Sequence, residues 1–373
     1  MKVGQLRTLS LAGSPRERGR AHGEAFKAEI IAHMYAWAQE CRKDTGLEPL
    51  AYLDRFFNET DFLPAIRRLT PDLLEETEGI AEGSGLPFPL VFARQLSDEE
   101  PWFRMCLRLG VDVREHCTAL GAKGQRGSPN VIGQNMDTPR YYEGYQTLLK
   151  ISEPDGTRTI VFSLTGKLSL CGMNSHGLGI CCNSLPQMAF DRRGLAEDFI
   201  VRRVLQLHSA REALAFLMTV PHASGQNYLI GGPDGIFDLE CSSGAVVAWE
   251  SDPESGRFWH ANHPLVNRDS KLWDEKLAMM RATDPARHEA FTSRFTTFRR
   301  HEVVERKVRE TQVLDAASIE AILSDRDAPL CLDGEAGTNI TLGTIIMICD
   351  AANPRMRVCA LPGRGGEYEE HGF

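Results

Sequence analysis

One sulfur in this chain has surroundings that chemistry could use. Cys117 lies in Arg114-Glu115-His116-Cys117-Thr118-Ala119, where helical sequence gives way to strand sequence. Polar groups suited to serve a thiol recur downstream. Gly133-Gln134-Asn135-Met136-Asp137 ends a strand in an amide and a carboxyl; Cys182-Asn183-Ser184, Asp238-Leu239-Glu240 and His260-Ala261-Asn262-His263-Pro264 follow. A thiol attacks a carbonyl as its thiolate and needs a base, with an amide or backbone N–H to receive the oxyanion. His116, His260 and His263 are the histidines that could form a Cys-His dyad. Taken singly, Cys117 is one of ten cysteines and reads as a buried thiol, Asp137 and Asn135 as turn caps, Asn262 and His263 as turn residues before Pro264, and Glu240 as a strand end. No C-x-x-C spacing occurs, so neither a zinc centre nor a redox pair is expected, and no cofactor.

The elements that must hold these residues follow from pattern. From Ser14 to about Lys43 a capped helix is expected with Pro15 in its first turn, and 48 to 84 carries further helical spacing. After about residue 116 short apolar runs alternate with turns. Thr147–Ile151 and Thr157–Leu164, joined through Glu153-Pro154-Asp155-Gly156, read as a hairpin, and further strands are expected at Gly179–Cys182, Tyr228–Ile230, Ile236–Glu240 and Val246–Trp249. One helix is expected over Leu195–Met218. One or two more over Asn267–Glu310 should turn their charged side to water. Thr341–Ile348 and Met356–Leu361 return the chain to an antiparallel sheet. No repeat or shift in composition marks a second domain, so 1–373 reads as one α+β unit with helices on the faces of a sheet core.

Together these residues resemble the penicillin acyltransferase family (acyl-CoA:6-aminopenicillanic acid acyltransferase) of N-terminal-nucleophile hydrolases. The resemblance is carried by Gly13-Ser14-Pro15-Arg16-Glu17-Arg18-Gly19 with Gly23, by Glu78-Gly79-Ile80-Ala81-Glu82-Gly83-Ser84-Gly85, by Cys117-Thr118, by Gln134-Asn135-Met136-Asp137 and by Asn262-His263, in the family's order over nearly the whole chain. It implies a four-layer αββα sandwich and cleavage before Cys117, between His116 and Cys117, into an α-fragment 1–116 and a β-fragment 117–373. It matches Cys117 to the nucleophile, Asp137 to the carboxylate that orients the new amine, Asn262 to the oxyanion donor, and Thr118 to a hydroxyl that assists the cut. Asn183 matches a further polar contact, and Asn135, Glu240 and His263 stand around the site. Cleavage would give the thiol a base, since an α-amine titrates at roughly 7.7–8.0. Two departures stand out. His116 occupies a position where the family often has Gly, and Gly337-Thr338-Asn339-Ile340-Thr341 lacks an Arg the family tends to place there.

The function expected is amide hydrolysis or acyl transfer through a thioester on Cys117. The partners expected are an acylated amine, an acyl-amino acid or a short peptide, with acyl-CoA as a candidate donor. An uncleaved Cys-His thiol hydrolase and a catalytically silent acyl-ligand-binding relative remain as alternatives. With 42 basic against 51 acidic residues and no basic face, nucleic acid and anionic membrane are poor partners. The start Met1-Lys2-Val3-Gly4-Gln5 carries no leader pattern, and a cytoplasmic protein with reduced thiols is expected.

Overall fold

The computed structural model describes residues 6–107, 117–125, 127–293, 296–326, 330–335 and 339–373. His116, and with it the residue before the expected cut, lies outside them, as do Gly337 and Thr338.

Strand β1 (Arg7–Leu11) precedes seven helices: α1 (Pro15–Ala25), α2 (Lys27–Thr45), α3 (Pro49–Glu59), α4 (Leu63–Leu69), α5 (Pro71–Ser84), α6 (Phe88–Arg94) and α7 (Glu99–Leu107). Six strands follow: β2 (Thr118–Ala122), β3 (Asn130–Pro139), β4 (Gln146–Ser152), β5 (Arg158–Leu164), β6 (Cys171–Asn174) and β7 (Gly179–Ser184). After α8 (Glu197–Val204) and α9 (Ala210–Leu217) come β8 (Gln226–Gly232), β9 (Gly235–Cys241), β10 (Val246–Trp249) and β11 (Arg257–His260). Helices α10 (Lys271–Thr283), α11 (Pro285–Thr292), α12 (Thr297–Glu310) and α13 (Ala316–Leu323) lead to β12 (Asn339–Cys349), β13 (Arg355–Ala360) and β14 (Tyr368–Gly372).

The strands form two sheets. An eight-stranded sheet runs β1-β4-β5-β6-β7-β8-β9-β10, and a six-stranded sheet runs β11-β2-β3-β12-β13-β14. The sheets face each other closely: a Cβ on Gly343 of β12 would stand 2.5 Å from the Phe162 ring of β5. Helices α8 and α9 cover the outer face of the larger sheet with the N-terminal helices, whose His22 accepts from the Gly166 amide at 2.9 Å. Helices α12 and α13 cover the outer face of the smaller sheet, burying Val304, Val308, Ile319 and Leu323 against Leu120, Val131 and Ile346. This is the four-layer α+β sandwich expected.

Ser14 caps α1 through a capping box with Glu17. The glycine motifs have a packing cause. Gly19 and Gly23 of α1 face Gly79 and Gly83 of α5, and a Cβ on Gly19 would come within 1.9 Å of the Glu76 carbonyl. Two helices can cross at backbone contact where neither bears a side chain at the crossing.

Local reading failed in places. The helix expected over 14–43 is α1 and α2, divided at Phe26. The helix expected over Leu195–Met218 is α8 and α9, because the chain leaves α8 at Leu205 and Ser209 starts a new helix by accepting from the Glu212 amide at 3.2 Å. Asn267–Glu310 holds three helices. The sheet is not wholly antiparallel, since β1 pairs in parallel with β4.

Candidate active site

Cys117 immediately precedes β2. Thr118 pairs with Asn135 of β3, and one further step of that antiparallel register sets Met136 across from Cys117, where Sδ and Sγ are 3.7 Å apart. Asp137 stands two residues along β3 from Asn135, the partner of Thr118, and so shares its face. Alternation then divides the strand: Cys117 and Met136 point between the sheets, whereas Thr118 and Asn135 point to the helix layer.

The helix layer holds the residue that sequence reading missed. Arg300 is buried on α12. Its guanidinium donates to the Cys117 carbonyl at 2.5 Å, to the Thr118 hydroxyl at 2.9 Å, to the Asn262 side-chain oxygen at 2.7 Å and to the Thr296 hydroxyl at 3.2 Å. Burial lowers its pKa to about 10, with Asp137 and Cys117 raising it in return. A planar fork can hold several acceptors in a fixed geometry where a lysine could not. The signal lay in the spacing. Val304 and Val308 form an apolar stripe four residues apart, and Arg300 occupies the next place on it.

Asp137 is buried beside this arginine, and neither carboxyl oxygen has a hydrogen-bond partner of ordinary geometry among the described residues. Burial pushes its pKa up to about 7; the Thr341 hydroxyl on the facing strand and Arg300 draw it back. Such a carboxyl costs the fold free energy unless a cation or donor arrives.

Asn262 follows β11 and is held on every side. Its backbone N–H donates to the Thr297 hydroxyl at 2.8 Å, its carbonyl accepts from Gln187 at 2.9 Å, and its side-chain N–H donates to the Ser184 carbonyl at 3.0 Å. With Arg300 on the oxygen, the amide is oriented and keeps one N–H beyond the Ser184 bond. The first turn of α12 therefore fixes Asn262 twice, through Thr297 and through Arg300.

Glu240 anchors the loop that carries Asn262. Its buried carboxylate accepts from His260 Nε2 at 2.9 Å and from the consecutive amides of Leu265, Val266 and Asn267 at 2.5, 3.0 and 2.7 Å. Burial alone would raise its pKa, but His260 and these amides hold it below its usual value. Burial likewise opposes charge on His260, yet Glu240 keeps it above its usual value. The His260 Nδ1 donates to the Ala261 carbonyl at 2.8 Å, so both ring nitrogens face acceptors, as suits an imidazolium.

The remaining expected residues divide. Thr118 meets Arg300, as above. Asn183 is buried beside Ser184, with both amide atoms unpartnered among the described residues. Asn135 turns away: its amide donates to the Leu323 and Leu330 carbonyls at 2.7 and 2.5 Å and accepts from Thr344 at 2.6 Å, tying α13 to β3 and β12. His263 bonds Thr297 at 2.9 Å, and burial, with the nearby cations, lowers its pKa to about 3. The hydrogen bonds of His260 go to Glu240 and Ala261, and that of His263 to Thr297. Among the described residues no group of three or more His, Cys, Asp or Glu could hold a metal ion, and no helix is long and apolar enough to cross a membrane.

Comparison with known proteins agrees with the family resemblance. The family model described as acyl-coenzyme A:6-aminopenicillanic acid acyl-transferase matches residues 123–360. The 40 kDa form of acyl-coenzyme A:6-aminopenicillanic-acid-acyltransferase from Emericella nidulans is 25% identical over 260 residues, covering 69% of this chain and 70% of that protein. Two solved structures are similar: a mutant conjugated bile acid hydrolase from Clostridium perfringens (12% identity, TM-score 0.41, 69% of this chain and 97% of that one) and penicillin V acylase from Agrobacterium tumefaciens (13%, 0.40, 69% and 86%). The chain belongs to the acyl-coenzyme A:6-aminopenicillanic acid acyl-transferase family.

Proposed function

We propose that this chain is a self-processing cysteine acyltransferase or amidohydrolase whose nucleophile is Cys117, made N-terminal by cleavage after His116. The observation that carries the reading is the buried Asp137 carboxyl, two residues along β3 from the partner of Thr118 and beside the Arg300 that holds the Cys117 carbonyl. Cleavage would place an ammonium there.

The chemistry follows from the groups at hand. In the uncut chain the Cys117 sulfur attacks the carbonyl of residue 116 and the peptide C–N bond breaks. Water then hydrolyses the resulting thioester, leaving fragments 1–116 and 117–373. Thr118, whose hydroxyl already accepts from Arg300, can donate its proton toward the departing nitrogen. In the cut protein the free α-amine takes the thiol proton and the thiolate attacks the amide carbon of the substrate. The unspent N–H of Asn262 donates to the oxyanion. The tetrahedral intermediate expels the amine, which leaves with the proton held by the α-amine, and the acyl group stays on sulfur as a thioester. Water or a second amine completes hydrolysis or transfer. An acylated amine, an acyl-amino acid or a short peptide suits the donor role, and acyl-CoA is a candidate donor.

The uncleaved Cys-His alternative finds less support, because His260 is committed to Glu240 and Ala261 and His263 to Thr297. Intact-mass measurement tests the reading. Wild type is expected as fragments 1–116 and 117–373, and Cys117→Ala as one uncut chain. An uncut wild type, or a cut Cys117→Ala, would overturn self-processing by this sulfur. With N-acyl amino acids, peptides and β-lactam amides, an acyl adduct on the 117–373 fragment is the expected intermediate.

A further inference from the structure

The inner face of the larger sheet carries a polar strip that the chemistry above does not use. Glu240 faces inward, because His260 of the smaller sheet reaches it across the sandwich. Residues directly opposite on antiparallel strands share a face. Asn227, across from Glu240, and Asn183, across from Asn227, therefore face inward in one row. In the next row Asp238 and its cross-strand partner Trp249 face inward too, and the Trp249 indole meets the His260 ring edge-on with centroids 5.9 Å apart.

Asn183, Asn227 and Asp238 are each at most 1% exposed. Both polar atoms of each of these three side chains, and the indole nitrogen of Trp249, have no hydrogen-bond partner of ordinary geometry among the described residues. Leaving a buried polar group so costs the fold free energy, and native proteins keep few such groups. Their concentration on four neighbouring strands serves no packing need, since hydrocarbon would fill the same space without the cost.

Charge indicates what the strip lacks. Glu240 and His260 neutralise each other, whereas Asp238 has no cation bonded to it. Burial pushes the Asp238 carboxyl up to about 7, while His260 and the diagonal Asn227 draw it back. Asn183 and Trp249 add N–H donors, and the two asparagines add carbonyl acceptors.

Resting on the reading of Cys117 as the nucleophile facing the same space, we infer that Asn183, Asn227, Asp238 and Trp249 bind an amine-bearing head group of the substrate, its ammonium seated against Asp238 and Asn227. An ammonium brings three donors to a strip that holds four acceptor oxygens, two on the amides and two on Asp238. A purely hydrocarbon acyl chain would give none of these atoms a partner beyond the contact between Asn227 and Asp238. Head groups are thus sorted by the strip and not by the sulfur.

Ligand-observed NMR titration of the purified wild-type protein with n-butylammonium chloride and with n-butanol, at about pH 8, tests this. Saturable binding of butylammonium, at least about tenfold tighter than butanol and weakened about tenfold or more in Asp238→Asn, is the result expected. Asn227→Ala, which keeps the charge, should weaken it as well and guards against a single misfolded variant. Equal binding of the two probes, no saturation by butylammonium, or affinity unchanged in both variants would overturn the strip. Binding through Asp238 in a protein that forms no acyl adduct on Cys117 supports the strip and removes the nucleophile, so the two failures differ.

Discussion

Replacing Asp137 by Asn should have opposite effects on stability before and after processing. In the uncut chain burial pushes the carboxyl up to about 7 from an ordinary 3.8, with the Thr341 hydroxyl and Arg300 drawing it partway back. Between those values the folded state keeps a proton that the unfolded state has lost. Stability therefore falls as pH rises through that window and levels off above about pH 7. At 1.36 kcal/mol per pH unit the ionised side chain costs the uncut fold roughly 4 kcal/mol at about pH 8. Asn has the same shape and no charge. In a Cys117→Ala background, uncut on the proposed route, Asp137→Asn should be near neutral at about pH 4 and stabilising by roughly 2–4 kcal/mol at about pH 8. In processed protein the Cys117 ammonium adds a second cation beside Arg300, and removing one partner of a buried ion pair costs about 3–5 kcal/mol. The same substitution should then destabilise. Urea unfolding across that pH range, on cut and uncut protein, measures both differences. A difference that stays flat with pH in the uncut chain, or has one sign in both forms, would refute Asp137 as the partner of the new amine.

Arg300→Leu removes the fork that orients Asn262, and kcat should fall about 10²–10³-fold, the loss typical of one oxyanion donor. Arg300→Lys should recover part of it at most, as steady-state kinetics on any substrate that acylates Cys117 will show. Glu240→Gln loses the charge that collects His260 and three amides, so thermal unfolding should register about 1–3 kcal/mol of lost stability, together with a lower kcat. Gly83→Ala places a Cβ about 2.1 Å from the Arg20 carbonyl of α1, and helices in backbone contact cannot both keep their places. It should destabilise by about 1–3 kcal/mol or more in urea titration.

Strands and hairpins were legible wherever the cause is local. The turn Pro154-Asp155-Gly156 sits where Gly156 takes a φ of +93°, and β4 and β5 pair on either side of it as the alternation requires. What stayed hidden depends on distant partners. Strand β1 is five residues whose partner β4 lies about 140 residues on, and nothing in Arg7–Leu11 announces that pairing. The α1 and α5 glycines were readable as a motif, but their cause is a helix crossing that no single segment contains. Arg300 was hidden by its neighbours. Arg299 and His301 make the stretch look like a solvated face, and only the Val304–Val308 spacing points the other way. Cys117, Asp137 and Asn262 were legible as candidates only through the family resemblance, since each taken singly reads as a buried thiol or a turn residue. Asp238 and Trp249 were not, because their shared row exists only once β9 and β10 are in register.

The strand that carries Cys117 separates two tasks. Its sulfur points between the sheets, toward the side on which Asn183, Asn227 and Asp238 lie, while its carbonyl, with Thr118, is held from the helix layer by Arg300. On the proposed mechanism cutting depends on the helix side, where Asp137 and Arg300 surround the backbone, and head-group selection depends on the inner side. Substitutions should therefore sort by face. Asp238→Asn should leave the 1–116 and 117–373 fragments in the mass spectrum while altering KM among acyl donors, whereas Arg300→Leu should slow the appearance of those fragments as well as turnover. An Asp238→Asn chain that folds yet stays uncut would show that the two faces are coupled, and that the inner strip takes part in making the nucleophile and not just in using it.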